Sequence, residues 1–145
     1  MTKREQGPLD AAAVRALGYR HAEVETDCLM EETMETLVDR PVYDFLPVGL
    51  RLEGADAVRA YYAHLFEHFL PHVESTDLVG EWVDEAALVQ EYVVHLRIDG
   101  VVERHRIIGI LYVEGTLLGG ERIWGSEPTL RRLLGPVYEQ LSPIP

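Results

Sequence analysis

Of the six histidines in this chain, two sit where their neighbours give them chemistry to do. His105 lies in the alternating run Val101–Val113. Burial among apolar side chains would push its pKa down and leave a neutral imidazole poised as a general base. The competing reading is a buried histidine satisfied by one hydrogen bond. His21 and Glu25 are four residues apart, which on a helix makes them neighbours. They are either a base with its orienting carboxylate or an ion pair on a wet helix face, worth a few tenths of a kcal/mol. Asp27 follows near the border of the same helix. Tyr43 and Tyr92 could donate hydrogen bonds to a developing oxyanion, and Arg122 could steady a carboxylate or enolate. His21, Glu25 and His105 together would also match a two-His, one-carboxylate metal set. Helical spacing of that kind arises easily by chance, so no transition metal is expected.

These side chains need a scaffold, and the stretch Ala87–Trp124 supplies it. Three β-rich runs are joined by Asp99-Gly100 and Glu114-Gly115. Asp-Gly is the strongest short-range hairpin signal, because a type I′ turn needs positive φ at both central residues. The two-residue turn predicts Ile98 facing Val101, with each earlier residue pairing one step further out. One face then carries Gln90, Tyr92, Val94 and Leu96 beside His105, Ile107, Gly109 and Leu111, mostly apolar with few polar groups, as a pocket floor requires. The other face carries Glu91, Val93, His95 and Arg97 beside Arg104, Arg106, Ile108 and Ile110. Glu91 and Arg106 form a diagonal ion pair there. If Glu114-Gly115 is likewise a two-residue loop, Val113 faces Thr116, and Arg122 and Trp124 join the His105 face. A three-residue loop would place Glu121 and Ile123 there instead. The first phase is preferred. Gly109, Gly119 and Gly120 read as bulges that curve the sheet.

The remaining elements follow in order. Met1–Gly7 is polar and expected to fray. A short helix is predicted over 8–17, ended by Gly18, and a second over 20–38 whose buried stripe is Ala22, Leu29, Met30, Thr33 and Leu37. A strand over 41–47 places Tyr43 and Phe45 on one side and Asp44 on the other. The amphipathic helix that follows Gly54 turns Val58, Tyr61, Tyr62, Leu65, Phe66 and Phe69 inward. A strand is predicted up to Val83, then the meander, then a short helix capped by Ser126 and closed by Gly135. The proline-rich tail carries no clear signal.

Helix, helix, strand, helix and then several antiparallel strands make an α+β domain over residues 1–145, with helices covering one face of a curved sheet. The net charge of −12 and pI near 4.8 argue against nucleic acid or an anionic membrane as partner. There is no long apolar span or apolar leader-like segment, so a soluble, cytoplasmic protein is expected. Cys28 stands alone and excludes an internal disulfide or a multi-cysteine zinc site.

The run VYDFLPVGLRLEGADAVRAYY resembles the segment of nuclear transport factor 2-like proteins in which a strand ends in Pro-x-Gly and a glycine opens the next helix. EYVVHLRIDGVVERHRIIGILYVEGTLLGGERIW resembles their final meander, and SEPTLRRLLG their closing helix, with the SnoaL-like polyketide-cyclase branch nearest in character. The resemblance implies a cone with helices on the concave face of the sheet and a central pocket. It also implies a frequent homodimer, here through the aliphatic outer residues Val89, Val93, Ile108 and Ile110. It carries no intact catalytic set across. Tyr43 matches the tyrosine of limonene-epoxide hydrolases, but their first Arg and Asp fall near Tyr92 and Val94, and their last Asp near Arg122. Leu46 stands where ketosteroid isomerases have a base, and Ser126 where SnoaL-type cyclases have an Asp. His105, Tyr43 and Asp27 or Glu25 loosely echo scytalone dehydratase-like enzymes.

Two functions stay open. One is a cofactor-free enzyme performing acid–base chemistry (cyclisation, isomerisation, dehydration or hydrolysis) on an apolar polyketide- or terpenoid-like molecule. His105, Tyr43, Glu25 and Arg122 would be catalytic, and His21, Asp27, Phe45, Tyr62, Phe66, Gln90, Tyr92, Val94, Ile107 and Trp124 would line the pocket. The other is an inert ligand-binding or dimerisation module of the same fold.

Overall fold

A computed structural model describes residues 8–145, and the segment Met1–Gly7, expected to fray, lies outside them. Four helices pack against a seven-stranded open sheet. The helices are α1 (Ala11–Thr26), α2 (Met30–Glu35), α3 (Ala55–His64) and α4 (Glu127–Leu134). The strands are β1 (Leu37–Leu46), β2 (Leu50–Glu53), β3 (Val73–Val83), β4 (Ala87–Ile98), β5 (Val101–Glu114), β6 (Leu117–Trp124) and β7 (Ser142–Pro143), in spatial order β3-β4-β5-β6-β1-β2-β7. The expected antiparallel sheet holds except for one pair: β1 runs parallel to β6. The tail supplies β7, which pairs with β2 at Leu50 and Arg51.

The β4–β5 hairpin has the register that its turn predicts. Asp99 (φ 50°) and Gly100 (φ 79°) form the turn, Ile98 pairs with Val101, and Val94 pairs with His105.

The first helices differ from the sequence expectation. Gly18 does not end a helix; it lies inside α1, where a Cβ would stand 2.4 Å from Leu88 Cδ2. The glycine lets α1 lie directly on β4. Asp10 caps the helix, its carboxylate accepting from Ala13 N–H at 2.8 Å. The break comes after Thr26. Leu29 N–H donates to Val24 C=O and Cys28 N–H to Glu25 C=O, with Cys28 in the left-handed region at φ 57°. This pair of bonds is a Schellman motif with cysteine in the position that glycine usually takes. The predicted helix over 20–38 is therefore split, and β1 begins four residues before Pro41.

α3 continues as a wider turn over Leu65–Phe69 and a tight one over Leu70–His72. Its apolar side, with Val58, Tyr61, Tyr62, Leu65 and Phe69, buries against Tyr43, Phe45, Leu96, Ile107 and Ile123 of the sheet. Each such side chain contributes roughly 1.5–3 kcal/mol on burial. Ser126 caps α4 as predicted, accepting from Thr129 N–H at 3.3 Å.

Candidate functional site

Between α1, the α3 extension and the inner face of β3–β6 lies a cavity of about 500 Å³. Its walls are mostly aliphatic and aromatic. The groups that can exchange a proton or a hydrogen bond are His21, Glu25, Thr26, Tyr61, Thr76, Gln90, Tyr92 and Glu121. That is the composition of a small-molecule site, an apolar hollow with a few convergent polar groups.

The α1 wall carries a relay. His21 is fully buried, and its Nδ1 lies 2.7 Å from Thr36 Oγ1. The Thr36 hydroxyl donates to Thr33 C=O at 2.6 Å, so its oxygen must accept from His21 Nδ1–H. That bond leaves Nε2 as the free ring nitrogen. It faces Tyr62 Oη at 3.0 Å and Glu25 Oε2 at 3.1 Å. Behind it, the Tyr62 and Tyr43 hydroxyls are 2.6 Å apart. Burial holds both phenols well above their ordinary pKa, so they act as donors, Tyr43 to Tyr62 and Tyr62 to the imidazole. Glu25 Oε2 lies 3.5 Å from the same Tyr62 hydroxyl, so the carboxylate stands at the cavity wall beside an imidazole nitrogen that accepts and does not donate to it.

Glu121 faces this relay from β6. Among the described residues, no group hydrogen-bonds to its carboxylate. Burial, and then the Glu25 charge, push its pKa well above the usual carboxylate range. Its Oε1 lies where a side chain at position 109 would begin: a Cβ on Gly109 would stand 2.8 Å from it. Burial, and then the charges of Glu25 and Glu121, push the Tyr61 and Tyr92 phenols well above their ordinary pKa. Neither hydroxyl has a hydrogen-bond partner among the described residues. Gln90, by contrast, is tied to Glu81 at 2.8 Å.

Glu121 stands here, and Arg122 does not, because of one inserted residue. The turn is Gly115-Thr116, with Glu114 opposite Leu117 and Val113 opposite Leu118, a shift of two residues from the predicted pairing. A shift of two preserves the face. A bulge then intervenes, and Tyr112 pairs with Gly120, Leu111 with Glu121 and Gly109 with Ile123. The extra residue exchanges the faces. Gly120 adopts φ 145° and passes so close to β1 that a Cβ would lie 1.9 Å from Val42 C=O. Arg122 and Trp124, expected in the pocket, therefore belong to the outer face. Arg122 lies over the Tyr112 ring at 5.0 Å, and Trp124 is 43 % exposed.

Among the other expected residues, His21, Glu25, Gln90, Tyr92, Val94 and Ile107 line the cavity. Tyr62 packs against Tyr61 just behind its wall, with Tyr43 and Phe66 against Tyr62 and Phe45 against Tyr61. Asp27 is corrected to an exposed position, since it caps the C-terminus of α1 beyond its last turn. His105 is also displaced from the cavity. It occupies the predicted sheet position, but its ring goes under α4, with Nδ1 2.6 Å from Thr129 Oγ1 and Nε2 2.8 Å from Glu103 Oε1. Arg132, and then His105, hold Glu103 down at about 2. The set His21, Glu25 and His105 is thus not assembled, and among the described residues no group of three such side chains is placed to hold a metal ion. Glu121 is the cavity residue that the preferred strand phase leaves out, and its signal is the Gly119-Gly120 pair.

No helix among the described residues is long and apolar enough to cross a membrane. No protein-family model and no curated protein sequence matches the chain. Solved structures do. A protein from Jannaschia sp. CCS1 assigned as a SnoaL-like polyketide cyclase superposes with a TM-score of 0.68 at 13 % identity, over 90 % of this chain and 96 % of that one. An LEH-like epoxide hydrolase from M. tuberculosis gives 0.64 at 13 % identity, over 89 % and 94 %. A protein from Kribbella flavida DSM 17836 assigned as a ketosteroid isomerase gives 0.62 at 18 % identity, over 81 % and 80 %. With several further NTF2-like structures beside these, the α+β cone seen here is the nuclear transport factor 2-like fold.

Proposed function

We propose that the chain is a cofactor-free acid–base enzyme acting on a small, largely apolar molecule of polyketide or terpenoid character held in the cavity. The observation that carries this reading is Glu121: a carboxylate without a hydrogen-bond partner among the described residues, facing an apolar hollow, its pKa raised well above the usual carboxylate range by burial and then by the Glu25 charge. It is the general base and then the general acid. Glu25, beside the Tyr62 hydroxyl, is the second carboxylate, on the wall opposite. Tyr61 and Tyr92 offer hydroxyls to oxygen as charge develops on it. Support also comes from the structural neighbours, which include proteins assigned as a cyclase and an isomerase and an epoxide hydrolase. The outer face, with Trp82 59 % and Trp124 43 % exposed near Ile108, is the surface through which two copies pair.

The test needs no native substrate. 5-Nitrobenzisoxazole is a small apolar probe that decomposes when a base removes its ring C–H proton; that electron pair forms the nitrile, the N–O bond breaks, and the oxygen leaves as a coloured phenolate. The protein should accelerate this elimination above free acetate, with a rate that rises with pH through the raised Glu121 pKa. Glu121→Gln should lose about a hundredfold or more. Equal rates in wild type and variant would leave the cavity as a binding module only.

A further inference from the structure

The cavity has two carboxylates on opposite walls and, among the described residues, no lysine or arginine lining it. The basic side chain among those described lining residues, His21, already has Thr36, Tyr62 and Glu25 around its two nitrogens. The one arginine that the meander might have contributed, Arg122, lies outside on Tyr112. An anionic ligand would therefore meet two like charges and no counter-charge. A neutral ligand would leave Glu25 and Glu121 opposing each other. The remaining sign satisfies both.

We infer that the natural ligand carries a protonated nitrogen on its apolar skeleton, bound between Glu25 and Glu121 and against the rings of Tyr61 and Tyr92. The inference rests on the cavity being the ligand site and narrows the substrate class given above. Tyr61 supplies an independent pointer to a ligand: it is only 3 % exposed, it lines the cavity, and among the described residues its hydroxyl has no partner. Aromatic faces beside paired carboxylates are the recurrent surroundings of an ammonium group. The net charge of −12 favours the approach of a cation over that of an anion.

Occupancy by a cation also changes the base. Among the described residues, the titratable groups around Glu121 are Glu25 and His21 from α1, Tyr61 and Tyr62 from α3, Tyr43 from β1 and Tyr92 from β4, and of these the Glu25 charge opposes its ionisation. A positive charge between the glutamates offsets the Glu25 charge and favours the Glu121 carboxylate that proton abstraction requires. A ligand of this class thus lowers the pKa of the base that acts on it.

The test uses three probes that share one compact cage: 1-aminoadamantane, 1-adamantanol and adamantane-1-carboxylate, titrated calorimetrically into the intact protein at pH 7. The amine should bind at least about tenfold tighter than the alcohol, which is one close, partly desolvated charge pair in size, and the carboxylate weakest. In Glu25→Gln and Glu121→Gln, checked for folding by circular dichroism, the amine-to-alcohol ratio should fall toward one. An alcohol that equals the amine, a carboxylate that surpasses it, or no binding by any of the three at millimolar concentration overturns the inference. Amine preference without elimination of the benzisoxazole would retain this inference and remove the catalytic reading; elimination without amine preference would do the reverse.

Discussion

Gly109→Ala isolates the geometry of the proposed base from its chemistry. Position 109 lies within β5, outside the glycines that have positive φ, so alanine is compatible with the backbone. The added Cβ would stand 2.8 Å from Glu121 Oε1 and 3.8 Å from Tyr92 Cε1. The second is an ordinary contact and the first is not. Restoring 3.4 Å requires the carboxylate to retreat by about 0.6 Å, the difference between 3.4 and 2.8. A carboxylate at the end of a flexible side chain can do so cheaply. Replacing glycine lowers the entropy of the unfolded chain by about 0.4–1 kcal/mol, which offsets the cost, so stability should stay within ~1 kcal/mol of wild type. The rate should not. A misplacement of 1 Å in a reacting group costs on the order of a hundredfold, so a shift of this size should cost roughly ten- to a hundredfold in the elimination of 5-nitrobenzisoxazole. Urea unfolding and the elimination assay on the same preparation separate the two effects. An unchanged rate in Gly109→Ala alongside a lost rate in Glu121→Gln would refute the geometric argument. A stability loss above ~3 kcal/mol would show that the neighbours cannot yield.

Glu121 also has a thermodynamic signature. Its folded-state pKa lies above the ordinary 4.5, so its contribution is fully present below that value and is lost as pH rises through the folded pKa. Glu121→Gln should thus gain on wild type in urea midpoint from about pH 5 upward, and parallel curves to pH 9 would contradict the assigned burial. His105→Gln should cost ~1–3 kcal/mol, because it removes partners from Thr129 and Glu103, and should leave benzisoxazole elimination near wild type. A tenfold or greater rate loss in that variant, measured on folded protein, would return His105 to the cavity chemistry. Sedimentation at micromolar concentration should give a dimer that Trp82→Glu with Trp124→Glu dissociates; a wild-type monomer would remove the outer face as a pairing surface.

What was legible in the sequence was whatever local chemistry decides. Asp99-Gly100 admits one turn type, and from that turn the register of Val94 against His105 follows without reference to the rest of the chain. The face carrying Gln90, Tyr92, Val94 and Ile107 followed from it, and the helical spacing of His21 and Glu25 brought both to the cavity. The misread features depend on distant partners or an unusual residue. Gly18 reads as a helix stop until Leu88 is seen lying against it, and the true stop is made by Cys28, a residue with no special turn signal. His105 held its predicted position, but the choice between cavity and α4 rests with Thr129 and Glu103, neither of which the strand pattern includes.

The last strand matters most. Its phase depends on whether the chain between Tyr112 and Gly120 holds an even or odd number of unpaired residues, and that was decided by Val42 of β1, which admits only a glycine at position 120. One residue of bulge exchanges Arg122 for Glu121 at the wall of the cavity. In the predicted phase, the site would have held a cation opposite Glu25, a self-neutralised pair suited to a neutral or anionic ligand. In the observed phase, the same strand leaves two carboxylates facing each other across an apolar hollow. Burial first and the Glu25 charge second raise the Glu121 pKa, and the same pair, Glu25 and Glu121, would supply the negative field of the proposed amine site. Neither can be altered at position 121 without disturbing the other.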